Sequence, residues 1–311
     1  MSPQRRQRLA HLMIFVTPAL WSANYVVARS AIGIVEPHML AFLRWLMAFG
    51  LMLPLAWPAL KTAWPAWRAE WKDLLLLGAL GMWICGAFVY IGAQTTTATN
   101  IGLIYAICPV LIAAVSAVLF GDRLGPLQSA GVAMALAGVL LVLARGSPGN
   151  LLAVRFTMGD LWVVAAALSW TLYSILLRRR ASALDPFARL TVITLGGLVV
   201  LAPLTVAEAL VLGVPEVSLR ALGLAAVVAV LPGFGAYQAY SFMQRELGAA
   251  RTGLVLYLGP LYAAGVAWWL LGEAPAWFHY VSAALILPGI WLATREPGRP
   301  PVPHAAGAGR R

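Results

Sequence analysis

The stretch from Gly253 to Glu273, GLVLYLGPLYAAGVAWWLLGE, decides how the rest of the chain is read. It is long and apolar enough to cross a bilayer. Yet Pro260 stands in its middle, with Gly253 two helical turns before it and Gly265 five residues after it. The chain writes much the same thing 151 positions earlier, from Gly102 to Asp122, as GLIYAICPVLIAAVSAVLFGD. Set without gaps, residues 98–143 and 249–294 share twelve identities, among them Gly102 with Gly253, Pro109 with Pro260, Gly121 with Gly272 and Gly138 with Gly289. Asp122 answers to Glu273. A Gly, Pro and Gly-acid frame held at one spacing is harder to reach by chance than scattered Leu and Ala matches. A weaker match joins ALWSANY, ending at Tyr25, to ALSWTLY, ending at Tyr173; each is followed by an acid-Pro turn, Glu36-Pro37 and Asp185-Pro186.

Working outward, the same apolar character fills the chain. Of 311 residues, 61% are hydrophobic and 11% charged, where a soluble domain carries roughly a quarter charged residues. Mean hydropathy is +0.83. Ten apolar runs are expected as membrane spans: 10–33, 37–57, 73–95, 99–120, 126–145, 158–178, 186–212, 219–243, 248–271 and 275–294. The breaks between them carry turn residues, such as EPH, GDRLGP, GSPGN and GEAP. The first run has the basic start of a signal peptide, but it continues past WSA into NYVVARSAIGI and is expected to be an uncleaved span. The tail 295–311, rich in Pro and Gly, is expected to be disordered.

The net charge of +11 would suggest nucleic acid on a soluble protein. Here the basic residues sit in short loops instead. With both ends cytoplasmic, 17 of the 22 Lys and Arg fall on the cytoplasmic side and four outside (Arg29, Arg145, Arg155, Arg220), with Arg44 inside span 2. That split orients the chain by the positive-inside rule. No nucleic-acid partner is expected. Cys85 and Cys108 both lie in apolar runs and form no metal-type cluster, so no metal and no cofactor is expected.

The expected fold is therefore all-α: ten transmembrane helices in two five-helix repeats, 9–145 and 158–294. Five is odd, so the repeats run in opposite senses. Inverted repeats with Gly/Pro-interrupted helices at matched places point to a secondary transporter whose site lies near the midplane, between the repeats. No phosphate-cradling loop is present, so ATP does not drive the chain directly.

The segments NIGLIYAICPVLIAAVSAVLFGDRL, QSAGVAMALAGVLLVL, RTGLVLYLGPLYAAGVAWWLLGEA, FLRWLMAF and WSANYVVAR together resemble the drug/metabolite transporter superfamily, and within it the ten-helix EamA-type exporters. The resemblance covers residues 10–294. By length and by aromatic-rich spans 1 and 6 the chain is similar to the YddG-type amino-acid exporters. The resemblance implies export of small metabolites, amino acids foremost, across a bacterial inner membrane. It leaves the substrate, the coupling ion and the oligomeric state open, and a multidrug or other metabolite carrier stays as the alternative.

Candidate wall residues follow from helical spacing: Trp21, Asn24 and Tyr25 in span 1, Trp83, Tyr90 and Gln94 in span 3, Trp170 and Tyr173 in span 6, Tyr237 in span 8, and Tyr105 and Tyr257 near the Gly-Pro faces of spans 4 and 9. Tyr and Trp combine an apolar body with a polar tip, which suits an amphipathic solute. They also serve as interfacial anchors, the plain reading for Trp57, Trp64, Trp67 and Trp71. Gly102, Pro109, Gly253 and Pro260 are candidate bends. Arg44, two turns inside span 2, is costly there; it either pairs or snorkels outward toward Glu36, gates, or meets a substrate carboxylate. The acids lie at or near span ends, so a deep carboxylate for proton coupling is not visible, and no catalytic cluster supports a membrane-embedded enzyme.

The topology has a direct check. Single cysteines introduced after Arg145 and after Arg295 should react with an impermeant thiol reagent from opposite sides of the membrane. Labelling from the same side would remove both the span count and the inversion.

Overall fold

The computed structural model describes residues 2–121, 124–213, 218–262, 265, 268 and 274–294. Asp122, Gly272, Glu273 and the tail 295–311 lie outside the described residues, as does part of the expected ninth span. Within them the protein is all-α. Nine helices are long and apolar enough to cross a membrane. We label the spans in chain order: α1 Pro3–Ser30, α2 Pro37–Thr62, α3 Trp71–Ala93, α4 in two pieces (Ala98–Ala106 and Cys108–Phe120), α5 Pro126–Leu143, α6 Met158–Arg179, α7 Pro186–Leu212, α8 Leu219–Leu247, α9 beginning at Ala249–Gly253, and α10 Trp277–Thr294.

Local chemistry sets the ends. Asp185 accepts from the amides of Phe187 (2.9 Å) and Ala188 (3.1 Å), and Pro186 opens α7; this satisfies amides that a helix start leaves unpaired. Its sequence counterpart Glu36 makes no such bond. The start of α2 is capped instead from across the protein. Glu208, near the end of α7, accepts from the amides of His38 (3.0 Å) and Met39 (3.1 Å) and from the His38 ring (2.8 Å). At α6, Asp160 takes the amide of Thr157 (2.6 Å), the side-chain amide of Asn100 (3.0 Å) and the hydroxyl of Thr96, tying the turn after α3 and the start of α4 to α6.

The repeats are inverted. Helix packing follows the repeat: α2 with α7, α4 with α9 and α5 with α10 join equivalent elements, while α1–α8 exchanges with α6–α3 and α3–α7 with α8–α2. Equivalent helices also run antiparallel. A Cβ at Gly131 of α5 would meet Gly289 and Ala293, while one at Gly138 would meet Ser282 and Ile286, so climbing α5 descends α10. Small residues let these two backbones touch, as membrane helices do where lipid supplies no hydrophobic drive.

Two spans widen at matched places. α3 has a π-helical segment at Ala79–Ile84 and α8 another at Ala229–Ala236. The opening sequence and its partner are both interrupted. α4 breaks at Ile107, next to Cys108-Pro109, and α9 tightens to a 3₁₀ turn over Leu254–Leu258 ahead of Pro260. Proline disfavours helix in the residue before it and removes one ladder bond. The two interruptions meet: a Cβ on Gly253 would sit 3.1 Å from Ile112 and 3.7 Å from Pro109. Gly102, by contrast, packs against Leu143.

The α5–α10 seam gives a stability test. A methyl at Gly131 would lie 2.5 Å from the Gly289 carbonyl and 2.6 Å from the Ala293 nitrogen, so backbone must move. Gly131→Ala should lower unfolding free energy by about 1–3 kcal/mol. Gly50→Ala, with nothing within 4 Å, should not. Thermal unfolding in detergent distinguishes them, and equal melting of both variants would refute the tight seam.

Candidate functional site

At the centre, α1, α2, α3, α4, α6, α8 and α9 surround a cavity lined by Trp21, Asn24, Arg44, Cys85, Gly86, Val89, Tyr105, Trp170, Tyr237 and Leu256. Its volume is about 70 Å³. That is room for roughly two water molecules, too little for an amino acid. The wall contains spans from both repeats.

One side of the wall is aromatic. Trp21 meets Trp170 edge-on at 5.3 Å, Tyr237 at 6.4 Å and Tyr240 at 5.5 Å. Trp170 in turn stacks on Tyr173 at 5.4 Å and contacts Tyr240 at 4.8 Å. Edge-on and offset contacts suit the ring quadrupoles, each worth about 0.5–1.5 kcal/mol beyond burial. Tyr237 is anchored besides, its hydroxyl donating to the Gly81 carbonyl at 2.8 Å. That carbonyl lies in the wide turn of α3, where neighbouring carbonyls are also taken by side chains. Ser169 donates to Leu80 (2.8 Å) and the Trp45 ring nitrogen to Met82 (3.1 Å).

The other side is polar. Arg44 is buried, 4% exposed. Its guanidinium donates to Asn24 Oδ1 at 3.3 Å and to the Tyr90 hydroxyl at 3.2 Å. The Tyr90 hydroxyl itself donates to Asn24 Oδ1 at 2.7 Å. The guanidinium carbon lies 4.6 Å from the Trp45 ring centre and 6.0 Å from that of Tyr237. Arg44 Nε is buried without a hydrogen-bond partner. A cation is thus held at the cavity by neutral oxygens and π faces. It turns inward rather than reaching out to Glu36.

Most sequence candidates converge here. Trp21, Asn24, Tyr105, Trp170 and Tyr237 line the cavity with Arg44, and Tyr90 binds two of them. Tyr173 backs Trp170, its hydroxyl buried without a partner. Tyr257 is fully buried outside the wall, where its neighbour Leu256 takes the lining place. Trp83 packs instead on Phe88 at 5.7 Å, and Gln94 is exposed at the end of α3. The Tyr25 side chain lies outside the described residues. Trp45, Tyr240, Cys85 and Gly86 were not singled out from sequence. The Trp45 position was signalled only by its neighbour Arg44, and Tyr240 only by the i+3 spacing from Tyr237.

The polar side predicts a measurable dependence. Asn24→Leu removes the acceptor shared by Arg44 and Tyr90 and should cost about 1–3 kcal/mol of stability. Asn24→Asp supplies a carboxylate and should keep or raise the melting temperature. If Asn24→Leu melts like the parent, these bonds do not hold Arg44.

Comparison with known proteins agrees with this geometry. The EamA-like transporter family matches residues 8–144 and again 157–295. An uncharacterized transporter of Archaeoglobus fulgidus is 24% identical over 92% of this chain and 97% of its own. The aromatic amino acid exporter YddG of Ancylobacter novellus is 30% identical over 55% of this chain and 59% of its own. A crystal structure of 23% identity shares the fold at a TM-score of 0.71, covering 92% of this chain and 96% of that one. Two copies of the family pattern, the inverted helix pairing and a central cavity between the copies lead to one conclusion: the chain is a multi-pass membrane transporter that belongs to the EamA-like transporter family.

Proposed function

We propose that the protein exports small amphipathic solutes, amino acids including aromatic ones, by alternating access through the central cavity. The observation that carries this reading is the cavity's two-sided wall. Trp21, Trp170 and Tyr237 present aromatic surface on one side, and Arg44 presents a guanidinium held by neutral groups on the other. An apolar body fits the first, and a carboxylate fits the second by charge-assisted hydrogen bonds. The similarity to an exporter of aromatic amino acids supports the same class. The alternative within the family is a multidrug or other metabolite carrier, and the buried cation works against cationic drugs as its cargo.

The halves 9–145 and 158–294 are proposed as the moving units, in a bacterial inner membrane with both termini cytoplasmic. The support for that orientation is the 17-to-4 split of basic residues. Gly102, Pro109, Gly253 and Pro260 are proposed as bends. A cavity of about 70 Å³ has to widen before it takes a solute, and broken helices in contact at Pro109 and Gly253 offer a place to do so.

The test is counterflow of labelled phenylalanine in proteoliposomes of the pure protein. Trp21→Ala should reduce it about tenfold or more while the protein stays folded, and Gln94→Ala, outside the wall, should not change it. Counterflow of a quaternary ammonium with none of phenylalanine would overturn the substrate class. Normal transport by Trp21→Ala and Trp170→Ala would overturn the site.

A further inference from the structure

A second and larger cavity, about 580 Å³, opens at the basic end of the molecule. Leu177 and Arg178 of α6, the loop Ser182–Asp185, Arg189 and Leu190 of α7, and Ser241 and Arg245 of α8 enclose it. Its depth is polar where polarity is unexpected. Ser241 Oγ is buried with no hydrogen-bond partner, and so is Arg189 Nε. Arg189 spends its two terminal nitrogens on the main-chain carbonyls of Leu177 (2.9 Å) and Arg180 (2.8 Å). A guanidinium has five N–H donors, so donors remain. A buried unpartnered hydroxyl and an incompletely used guanidinium in the lining of one cavity cost free energy unless something else completes them.

The charge balance says what. Arg178, Arg189 and Arg245 face this cavity with one acid, Asp185, whose Oδ1 is engaged in capping α7. Other acids at this end are engaged too. Glu70 accepts from Ser182 and Ala183, Asp73 pairs with Arg180 at 2.8 Å, and Glu246 pairs with Arg6. Asp185 and Glu70 keep their charges while they accept these bonds, so three arginines against two carboxylates leave the cavity net positive over a partly apolar lining of Leu177, Leu184 and Leu190.

Its position connects it to the centre. Tyr237, Ser241 and Arg245 follow at four-residue intervals on α8, hence on one helix face. The first lines the central cavity and the other two this one. On α6, Trp170 lines the centre and Leu177 the outer cavity. Along these two helices, Tyr173 and Ser174 fall between the α6 lining residues and Tyr240 between the α8 ones; Tyr173 lies 6.0 Å from Tyr237, and Tyr240 is bonded to Ser174 at 2.8 Å.

We propose that this basic cavity is a second binding site, one that takes the carboxylate of a small solute with a short apolar body before it reaches the centre. Arg189 and Ser241 receive the carboxylate, and Arg178 and Arg245 draw it in from solvent. The carboxylate class rests on the transport reading above, but binding here does not require that the central cavity bind or turn over.

Calorimetric titration of the full-length protein in neutral detergent with 3-phenylpropionate, and with its uncharged amide, tests this. The acid should bind about tenfold or more tightly than the amide. Ser241→Ala deletes a group with no partner in the fold, so it should stay folded and yet bind the acid several-fold more weakly. Arg245→Gln should weaken binding and flatten its salt dependence. Trp21→Ala should remove at most a separate central component of binding and leave the component that depends on Ser241 and Arg245 within about twofold, since sites in separate cavities act independently. The assignment is overturned if acid and amide bind alike, or if Ser241→Ala and Arg245→Gln bind normally. It is also overturned if Trp21→Ala alone abolishes binding, which would move the ligand to the centre. Displacement of the probe by phosphatidylglycerol in nanodiscs, but not by phosphatidylcholine, would make the site a lipid headgroup site instead. Loss of counterflow with this binding intact counts against the transport reading and not against the site. Binding absent with counterflow intact does the reverse.

Discussion

A carbonyl inside a bilayer has no water to turn to, and the centre of this protein is arranged around three of them. The wide turn in α3 departs from the regular i→i−4 spacing, the Cys85 amide reaching back to the Leu80 carbonyl, and the carbonyls of Leu80, Gly81 and Met82 also take donors from side chains. Ser169 from α6, Tyr237 from α8 and Trp45 from α2 supply them. Each donor also fixes something else. Tyr237 and Trp45 thereby meet ring to ring at 4.9 Å, and that pair forms the π surface under Arg44. Both repeats contribute donors, since α2 belongs to the first and α6 and α8 to the second. The turn in α3 thus sets the register between the halves and the placement of the cavity wall together.

The inverted plan was legible in the sequence because it is written in backbone terms. Glycine and proline report where helices break or touch, and their effect depends little on surroundings. So Gly138 and Gly289, matched by the repeat, both lie where α5 and α10 touch, and the two Gly-Pro spans do carry interruptions. The symmetry is broken where side chains decide. Asp185 caps its own helix while Glu36 leaves that to Glu208, 170 residues from His38. Gly253 packs on Pro109, but Gly102 packs on Leu143. No local pattern announces a cap that arrives from another helix.

The cavity was legible in part for a related reason. Trp21, Asn24, Trp170 and Tyr237 lie on regular helix faces, so a 3.6-residue period finds them. Trp83 lies inside the wide turn of α3, where that period does not hold, and its ring faces Phe88 instead. Gln94 shares a face with Tyr90 but sits a turn farther out, past the last helical residue, where the chain meets solvent. Arg44 was visible as an expensive charge. Its partners were not, since they are neutral groups on α1 and α3, and only the fold brings Asn24 and Tyr90 to the same atom.

On the proposed reading, the central cavity must widen, and the contacts around it differ in how readily they yield. Tyr237 is buried and donates its hydroxyl to the Gly81 carbonyl, so moving it leaves a buried hydroxyl without an acceptor, at about 1–3 kcal/mol. Trp170 is buried on all sides by Trp21, Tyr173, Tyr237 and Tyr240. Trp21 is only half-buried, and the contacts that hold it in this layer are ring contacts to Trp170, Tyr237 and Tyr240. At about 0.5–1.5 kcal/mol each, their loss falls in the few-kcal/mol range that separates a major conformer from a minor one. On that reading, Trp21 of α1 is the part of the aromatic wall that yields most readily. The π-helical segment of α8, Ala229–Ala236, packs directly against α1 and matches by repeat the wide turn of α3. The helix that carries Trp21 thus lies against one whose backbone has left the regular α-helical spacing.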